Sequence, residues 1–250
     1  MKTDPLELRI TLKKFYLSDH NHSLEIQPFE FTVDSNIPFA AITGPSGAGK
    51  TTFCRTFFHH YINSWIEDGC EVQFEKLYSL NGIALNHTKD VVGYAPQRPF
   101  FLPNKTIHEN LCAPFGWKGK SAPLQSDVEK VCQIFFLDRT INRHISDLSA
   151  GELQRLNLAR MLLAGPQIAI IDECLTSLDQ ELASQIVKNL HENYTDHSRF
   201  LIVTHRLTDL SYVPHVWVRF ALEENSGDPA FFQKSVKVNI RENVKQNNLS

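Results

Sequence analysis

The chain has 250 residues, 42% of them hydrophobic, and a formal net charge of −3 at pH 7. This composition supports one large core, and five cysteines without C-x-x-C spacing favour a reducing compartment over disulfides or zinc. No basic stripe argues for nucleic acid, and no apolar run approaches the ~18 residues that span a bilayer, so we expect a soluble protein or one held at a membrane only by a partner.

The first 36 residues have the pattern of a small antiparallel sheet. Apolar and polar side chains alternate from Leu6 to Lys13, which is typical of a strand with one face in water. A turn is predicted at 18–21, and a second strand at 24–33 with a break near Pro28.

Residues 44–51, GPSGAGKT, match the phosphate-binding loop pattern G-x-x-x-x-G-K-[ST]. The glycines let several backbone N–H groups point at one anion, Lys50 supplies a positive charge for the β- and γ-phosphates, and Thr51 supplies a hydroxyl for Mg²⁺. A buried strand at 39–43 precedes the loop, and aromatic residues at every fourth position over 53–65 predict one long helix after it. We therefore expect ATP and Mg²⁺ here, with candidate contacts from Gly44, Pro45, Ser46, Gly47, Ala48, Gly49, Lys50, Thr51 and Thr52.

A nucleotide also needs a surface for its base. Tyr16 and Phe15 end the first predicted strand, and either ring is suited to stack on an adenine or to close the edge of the sheet. Tyr16 is the candidate we carry forward.

The middle of the chain changes from strands to helices. Short strands are predicted at 71–74, 82–85 and 91–95. Gln97 and an apolar loop at 98–103 follow, and a helical pattern then extends from Thr106 to about Leu137, interrupted by a loop at 113–123. Since strands resume only after Gly165, we interpret this section as an inserted helical lobe.

Residues 149–152, SAGE, fit the capping box [ST]-x-x-[DE] ahead of an apolar helical pattern. Ser149 either only caps this helix or begins a helix whose N-terminus also binds an anion, and the two interpretations are compatible.

Acidic residues follow a buried strand. Asp172 and Glu173 come directly after the apolar run 168–171, and His205 follows another at 200–204. The carboxyl ends of parallel strands meet at one sheet edge, where a carboxylate can hold Mg²⁺ and a second can orient or deprotonate water. A helix at 179–194 and a polar, frayed tail from 242 are also predicted.

The order of these motifs resembles the nucleotide-binding subunit of ATP-binding cassette (ABC) proteins, over about residues 6–220. The discriminating piece is 148–152, LSAGE, which is similar to the LSGGQ signature and continues as LQRLNLAR at 153–160. The other matches are Gln97 to the Q-loop, Asp172 to the Walker B acid, Glu173 to the catalytic carboxylate, 177–179 to the D-loop and His205 to the switch histidine.

The resemblance implies an α/β fold: a RecA-like P-loop core with an antiparallel β-subdomain and an inserted α-helical signature subdomain. The implied parts of a single domain are 1–36 with part of 66–90 (antiparallel), 37–97 and 164–222 (core), 98–163 (helical) and 223–250 (C-terminal extension). It also implies a head-to-tail dimer, in which the signature helix of one subunit acts on the ATP of the other.

The resemblance further assigns roles. It assigns catalysis to Glu173, His205 and Lys50. It assigns metal binding to Thr51, Gln97 and Asp172. Nucleotide contacts beyond the loop fall to Gln97, Ser149, Ala150, Gly151, Glu152 and Asp179. The implied partners are a separate transmembrane permease chain and a second ATPase subunit, the same or different, with the protein on the cytoplasmic face of a membrane.

Departures from the family pattern bear on the direction of transport. Ala150 replaces the first signature glycine, and Cys174-Leu175 replaces Pro-Thr after the catalytic acid. The stretches 106–111 and 204–207 resemble exporters, whereas 36–38, Asn-Ile-Pro, lacks the usual Gly-Glu before the loop strand. Export is favoured over import.

Two other functions compete with transport. One is a soluble ABC ATPase acting on DNA or ribosomes, although the long coiled coil or tandem cassette of such proteins is not present. The other is a P-loop kinase, which would need neither residues 149–152 nor His205. Residues 100–102, Phe-Phe-Leu, either dock a membrane partner or pack inside the helical lobe.

Overall fold

The computed structural model describes residues 6–19, 22–85, 91–117, 119, 121–137, 141–223 and 232–243. The strands are β1 (Leu8–Ser18), β2 (His22–Ile26), β3 (Phe29–Val33), β4 (Phe39–Thr43), β5 (Glu71–Leu80), β6 (Ile83–Ala84), β7 (Val92–Ala95), β8 (Ile168–Asp172), β9 (Arg199–Val203), β10 (His215–Glu223) and β11 (Phe232–Asn243). The helices are α1 (Lys50–Arg55), α2 (His59–Glu67), α3 (Ile107–Trp117), α4 (Gln125–Ile134), α5 (Ala150–Leu163) and α6 (Gln180–Tyr194), with 3₁₀ turns at Ile145–Asp147 and Leu207–Leu210.

The described strands form one sheet in the order β6-β5-β1-β2-β11-β10-β4-β9-β8-β7, with β3 paired to β1. The half from β10 to β7 is parallel, and β1, β2, β3, β5 and β6 pair antiparallel. Strands β4, β8 and β9 are buried along their whole length. This is expected of apolar strands covered on both faces, and it brings the carboxyl ends of these three strands to one edge.

Strand β1 changes face part-way along its length. Leu8, Ile10 and Leu12 are buried, and an irregularity in the pairing with β5 lies between Leu12 and Lys14. A bulge shifts the alternation by one residue, so that Phe15 is buried in the core and Leu17 packs against the same apolar cluster. The face that carries Phe15 and Leu17 is therefore the inner one.

The helix predicted after the phosphate loop is two helices, so this prediction was wrong. α1 ends at Arg55, and α2 begins at His59 after an extended residue at Phe58 (φ −122°, ψ 116°). Contacts to β5 turn the chain here: the Thr56 hydroxyl lies 2.6 Å from the Tyr78 hydroxyl, and the Phe57 ring stacks on the Tyr78 ring at 4.0 Å. Tertiary packing thus overrides a helical periodicity that the sequence carries through the break.

The loop predicted at 113–123 was also placed too early. α3 continues to Trp117 and contains Pro114. A proline inside a helix removes one backbone hydrogen bond without always ending the helix, and here three further residues remain helical.

The C-terminal part of the chain completes the sheet. β11 lies between β10 and β2, pairs antiparallel with β10 and parallel with β2, and the Gln27 amide donates to the Val236 carbonyl at 2.8 Å. Sequence reasoning missed both β10 and β11, and residues 242–243 of the predicted tail are strand. The alternation of Val236, Val238 and Ile240, all on one face, is the signal that could have found β11.

Candidate active site

The phosphate loop connects β4 to α1 and curls around a lysine. Gly44 has φ +143°, and a Cβ there would lie 2.3 Å from the Phe220 carbonyl oxygen, so no other residue fits. Lys50 is buried, and its Nζ donates to the carbonyl oxygens of Gly44 at 2.9 Å and Pro45 at 2.8 Å. Burial lowers the pKa of Lys50, against the opposing effect of the nearby carboxylates. The ammonium is thus held at the loop, where an anion would meet it.

Asp172, at the carboxyl end of β8, joins the loop to the sheet edge. Its Oδ1 accepts from the Thr51 hydroxyl at 3.1 Å, and its Oδ2 accepts from the Tyr94 hydroxyl at 2.8 Å. Burial raises the pKa of the Asp172 carboxyl, and these two hydrogen bonds oppose the rise. Tyr94 is a residue that sequence reasoning missed, although its place at the end of β7 beside β8 was predictable.

Glu173 is the point where three predicted residues meet. It has φ +56°, in the left-handed region that non-glycine residues rarely adopt, and its amide donates to the Val203 carbonyl at 3.1 Å. One carboxylate oxygen lies 2.9 Å from His205 Nε2, and the other accepts from Gln97 Nε2 at 2.7 Å. The end of β8, the end of β9 and the segment after β7 therefore converge on one carboxylate.

The signature helix α5 begins with the predicted capping box. The Glu152 amide donates to Ser149 Oγ at 3.3 Å, and the Ser149 amide donates to Glu152 Oε2 at 2.8 Å. The Ser149 hydroxyl also donates to Glu152 Oε2 at 2.8 Å, and the two bonds that Ser149 donates to this carboxylate lower its pKa, with Arg143 3.0 Å away as a further aid. Asp179 caps α6 through the Leu182 amide at 2.8 Å. Ala150 and Gly151 form the first turn of α5.

The helical lobe is tied to the segment after β7. Gln154 Nε2 on α5 donates to the Gln97 carbonyl at 2.8 Å, and Asn157 Nδ2 donates to the Pro96 carbonyl at 2.9 Å. Movement of α5 would therefore displace Gln97, whose side chain contacts Glu173.

Comparison with known proteins identifies a family that this chain matches. The family model described as "ABC transporter" matches residues 26–176. The chain belongs to the ABC transporter family. It carries the nucleotide-binding ATPase domain of that family.

Curated relatives of this ABC domain include transport proteins of several kinds. It is 28% identical over 207 residues to the probable multidrug resistance ABC transporter ATP-binding/permease protein YheI of Bacillus subtilis, covering 77% of this chain and 33% of the relative. It is 30% identical over 185 residues to the phosphate import ATP-binding protein PstB of Koribacter versatilis, covering 69% and 72%. The chain spans 33% to 63% of the first relatives' length.

A solved structure shares the fold of the ABC domain. The structure of a bacterial Atm1-family ABC exporter with ATP bound matches with a TM-score of 0.69 at 21% identity, over 87% of this chain and 38% of that one. The predicted α/β architecture is thereby confirmed. None of the helices in the described part of the chain has the length and apolar character needed to cross a bilayer.

A cavity of about 260 Å³ lies beside the phosphate loop of the ABC domain. Its lining residues are Leu17, Asp19, His22, Ser23, Leu24, Gly47, Cys70 and Lys234. Leu17 points to this side because the inner face of β1 carries it, whereas Tyr16, paired with Glu25 and Gln73, occupies the outer face. Phe15 is in the core. The structure thus brings neither Tyr16 nor Phe15 to the loop, and the residue that takes the expected position is Leu17.

Residues of the apolar loop after Gln97 were predicted either to dock a membrane partner or to pack inside the helical lobe, and two of them differ in this respect. The Phe100 side chain is 70% exposed, whereas Phe101 packs against the core with the Arg160 guanidinium 4.5 Å from its ring centre. Phe100 is therefore available to a partner, and Phe101 belongs to the helical lobe.

Proposed function

We propose that this chain is the ATP-hydrolysing subunit of a membrane transporter and that it acts through a separate transmembrane chain. The observation that carries the proposal is the convergence of Gln97 and His205 on Glu173, beside a phosphate loop whose Thr51 contacts Asp172. The relatives named above are import and multidrug-resistance proteins, which favours transport over action on DNA or ribosomes.

The residues present suit Mg²⁺ as the metal. Thr51 and Asp172 offer a hydroxyl and a carboxylate oxygen to one point, and Mg²⁺ prefers such oxygen ligands. With Gln97 they would hold the ion, whose charge would offset that of the phosphates. Lys50 and the loop amides bind the β- and γ-phosphates, and Thr52 lies in the first turn of α1 beside them.

Glu173 is placed to act as the general base. Its carboxylate accepts a proton from the attacking water, the water oxygen bonds to the γ-phosphorus, and the bond to ADP breaks. His205 and Gln97 orient the carboxylate through one contact to each oxygen. ATP and water thus give ADP and inorganic phosphate.

The signature residues complete the site in a second subunit. Within this chain Ser149 and Glu152 satisfy each other and leave the remaining N–H groups of the first turn of α5 for an anion. We assign Ser149, Ala150, Gly151 and Glu152 to the ATP of a partner subunit, and Asp179 to the same contact between subunits. We also retain, as part of this proposal, the domain boundaries that were predicted from the sequence.

The membrane partner determines where the protein lies in the cell and in which direction the substrate is transported. Phe100 is exposed next to Gln97 and would contact a transmembrane chain on the cytoplasmic face of the membrane. The matched proteins include both an exporter and an importer, so export remains favoured only on the sequence of 106–111 and 204–207.

Phosphate release from Mg-ATP tests the ATPase, and co-purification tests the transporter. We expect purified protein to release phosphate and to co-purify a membrane-spanning chain from detergent-solubilised membranes. A protein that hydrolyses ATP but co-purifies with ribosomal or DNA-repair proteins would contradict the transport assignment.

The cavity beside Gly47 is our site for the adenine, and a pair of neighbouring residues tests it. Tyr16→Ala is expected to change the ATP dissociation constant by less than about twofold, whereas Leu17→Ala is expected to raise it about threefold to tenfold through lost apolar contact. Calorimetric titration measures both. If Tyr16→Ala instead raises the ATP dissociation constant more than Leu17→Ala does, the adenine lies on the outer face of β1.

A further inference from the structure

Strand β11 places one lysine next to the phosphate loop. Lys234 pairs with Leu24 of β2, and Val236 pairs with Ile26 in the same parallel register. Partners in a parallel pair share a face, and Val236 and Ile26 are both buried. The Lys234 side chain therefore points to the inner side of the sheet, where the loop lies.

The distances confirm this direction. A Cβ built on Gly47 would lie 2.9 Å from Lys234 Nζ, and one built on Gly49 would lie 2.9 Å from Leu24 Cδ2. β2 and β11 thus rest directly on the phosphate loop, and the Lys234 ammonium lies over its backbone at the wall of the 260 Å³ cavity.

The Lys234 ammonium differs from that of Lys50 in its hydrogen bonds. Among the residues that the structure describes, none supplies it with a hydrogen-bond acceptor or a carboxylate, while Lys50 donates to two loop carbonyls. An ammonium has three donors and a full charge, and a phosphate oxygen satisfies both needs. The two lysines approach the loop from different elements, Lys50 from α1 and Lys234 from β11.

We propose that Lys234 is a second cation of the nucleotide site and that its ammonium contacts the phosphate next to the nucleoside. This inference rests on the proposed function and on the adenine lying in the cavity. Lys50 serves the phosphates that the loop encloses, whereas Lys234 lies where the loop meets the cavity, between the phosphates and the base. Since ADP and ATP share that phosphate, the contact adds affinity for both. Lys234 lies outside residues 26–176, which the family model matches, and it belongs to none of the family motifs named above.

Lys234→Gln tests the contact by nucleotide titration. We expect the dissociation constants of Mg-ADP and Mg-ATP each to rise about tenfold, as for loss of a charge-assisted hydrogen bond, and the increase to shrink at high salt. Lys234→Arg should recover most of the affinity because it restores the charge. Lys237→Gln is the matched control, since Lys237 is exposed on the opposite face of the same strand.

Each other outcome contradicts the inference. If Lys234→Gln leaves the dissociation constants of both nucleotides unchanged, or if Lys237→Gln raises them equally, Lys234 does not contact the phosphate. The proposed function would still stand. A loss for ATP without a loss for ADP would move the contact to the γ-phosphate. A wild-type protein that binds neither nucleotide would overturn the proposed function itself. Melting temperatures within about 2 °C of wild type would show that the variants are folded.

Discussion

Replacing Glu173 by glutamine is expected to slow ATP hydrolysis by about 10²–10⁴-fold while leaving ATP binding intact, because the change removes a general base but keeps the side-chain shape. Glutamine retains an oxygen toward one neighbour and has no basic carboxylate to accept the proton of water. Phosphate release at saturating Mg-ATP measures the rate, and calorimetric titration measures the binding.

The control for Glu173→Gln is the same change at an exposed glutamate. Glu181→Gln, in the first turn of α6, alters the charge equally without touching the site and should keep the wild-type rate. If Glu173→Gln keeps more than half of the wild-type activity, Glu173 is not the base. His205 would then be the next candidate, since of the two side chains in contact with that carboxylate it is the one that can accept a proton.

Arginine at position 149 is expected to abolish an ATP-dependent dimer. In the Glu173→Gln background the protein should be mainly monomeric without nucleotide and dimeric with Mg-ATP, because in the proposed dimer unhydrolysed ATP would be shared between Lys50 of one subunit and the α5 N-terminus of the other. Ser149→Arg adds bulk and charge at that point and removes the cap, so the dimer should be lost while each monomer still binds ATP. Light scattering measures the two sizes.

The matched control for Ser149→Arg lies on α2. Ser64 is exposed, and Ser64→Arg should leave the dimer intact. A Glu173→Gln protein that stays monomeric in saturating Mg-ATP, alone and with its membrane partner, would contradict the assignment of Ser149 to a partner's nucleotide. Dimerisation only in the presence of the partner would indicate a heterodimer.

The site was predictable where chemistry requires residues at short sequence spacing. The phosphate loop needs glycines and a lysine within eight positions, and the acids at 172 and 173 need only a buried strand before them. Since parallel strands bring their carboxyl ends to one edge, the meeting of Glu173 with His205 followed from the predicted strands as well.

The parts that sequence reasoning missed depend on long-range packing. The bulge in β1 turns Leu17 rather than Tyr16 toward the loop, and only the pairing with β5 reveals it. The break between α1 and α2 comes from contacts of Thr56 and Phe57 with Tyr78, which lies 21 or 22 positions away. The place of β11, and with it Lys234, depends on a strand pairing with β2 across more than two hundred residues.

One calorimetric titration with Mg-ATP tests whether the phosphate loop of this chain binds ATP through Lys50. We predict one binding site per chain in the wild-type protein and a dissociation constant about 10- to 100-fold higher in Lys50→Ala, as the phosphates lose a charge-assisted bond. Lys188→Ala, on the exposed face of α6, should bind like wild type. Failure of the wild-type protein to bind at millimolar ATP, or equal affinity in Lys50→Ala, would show that the loop does not bind ATP through Lys50.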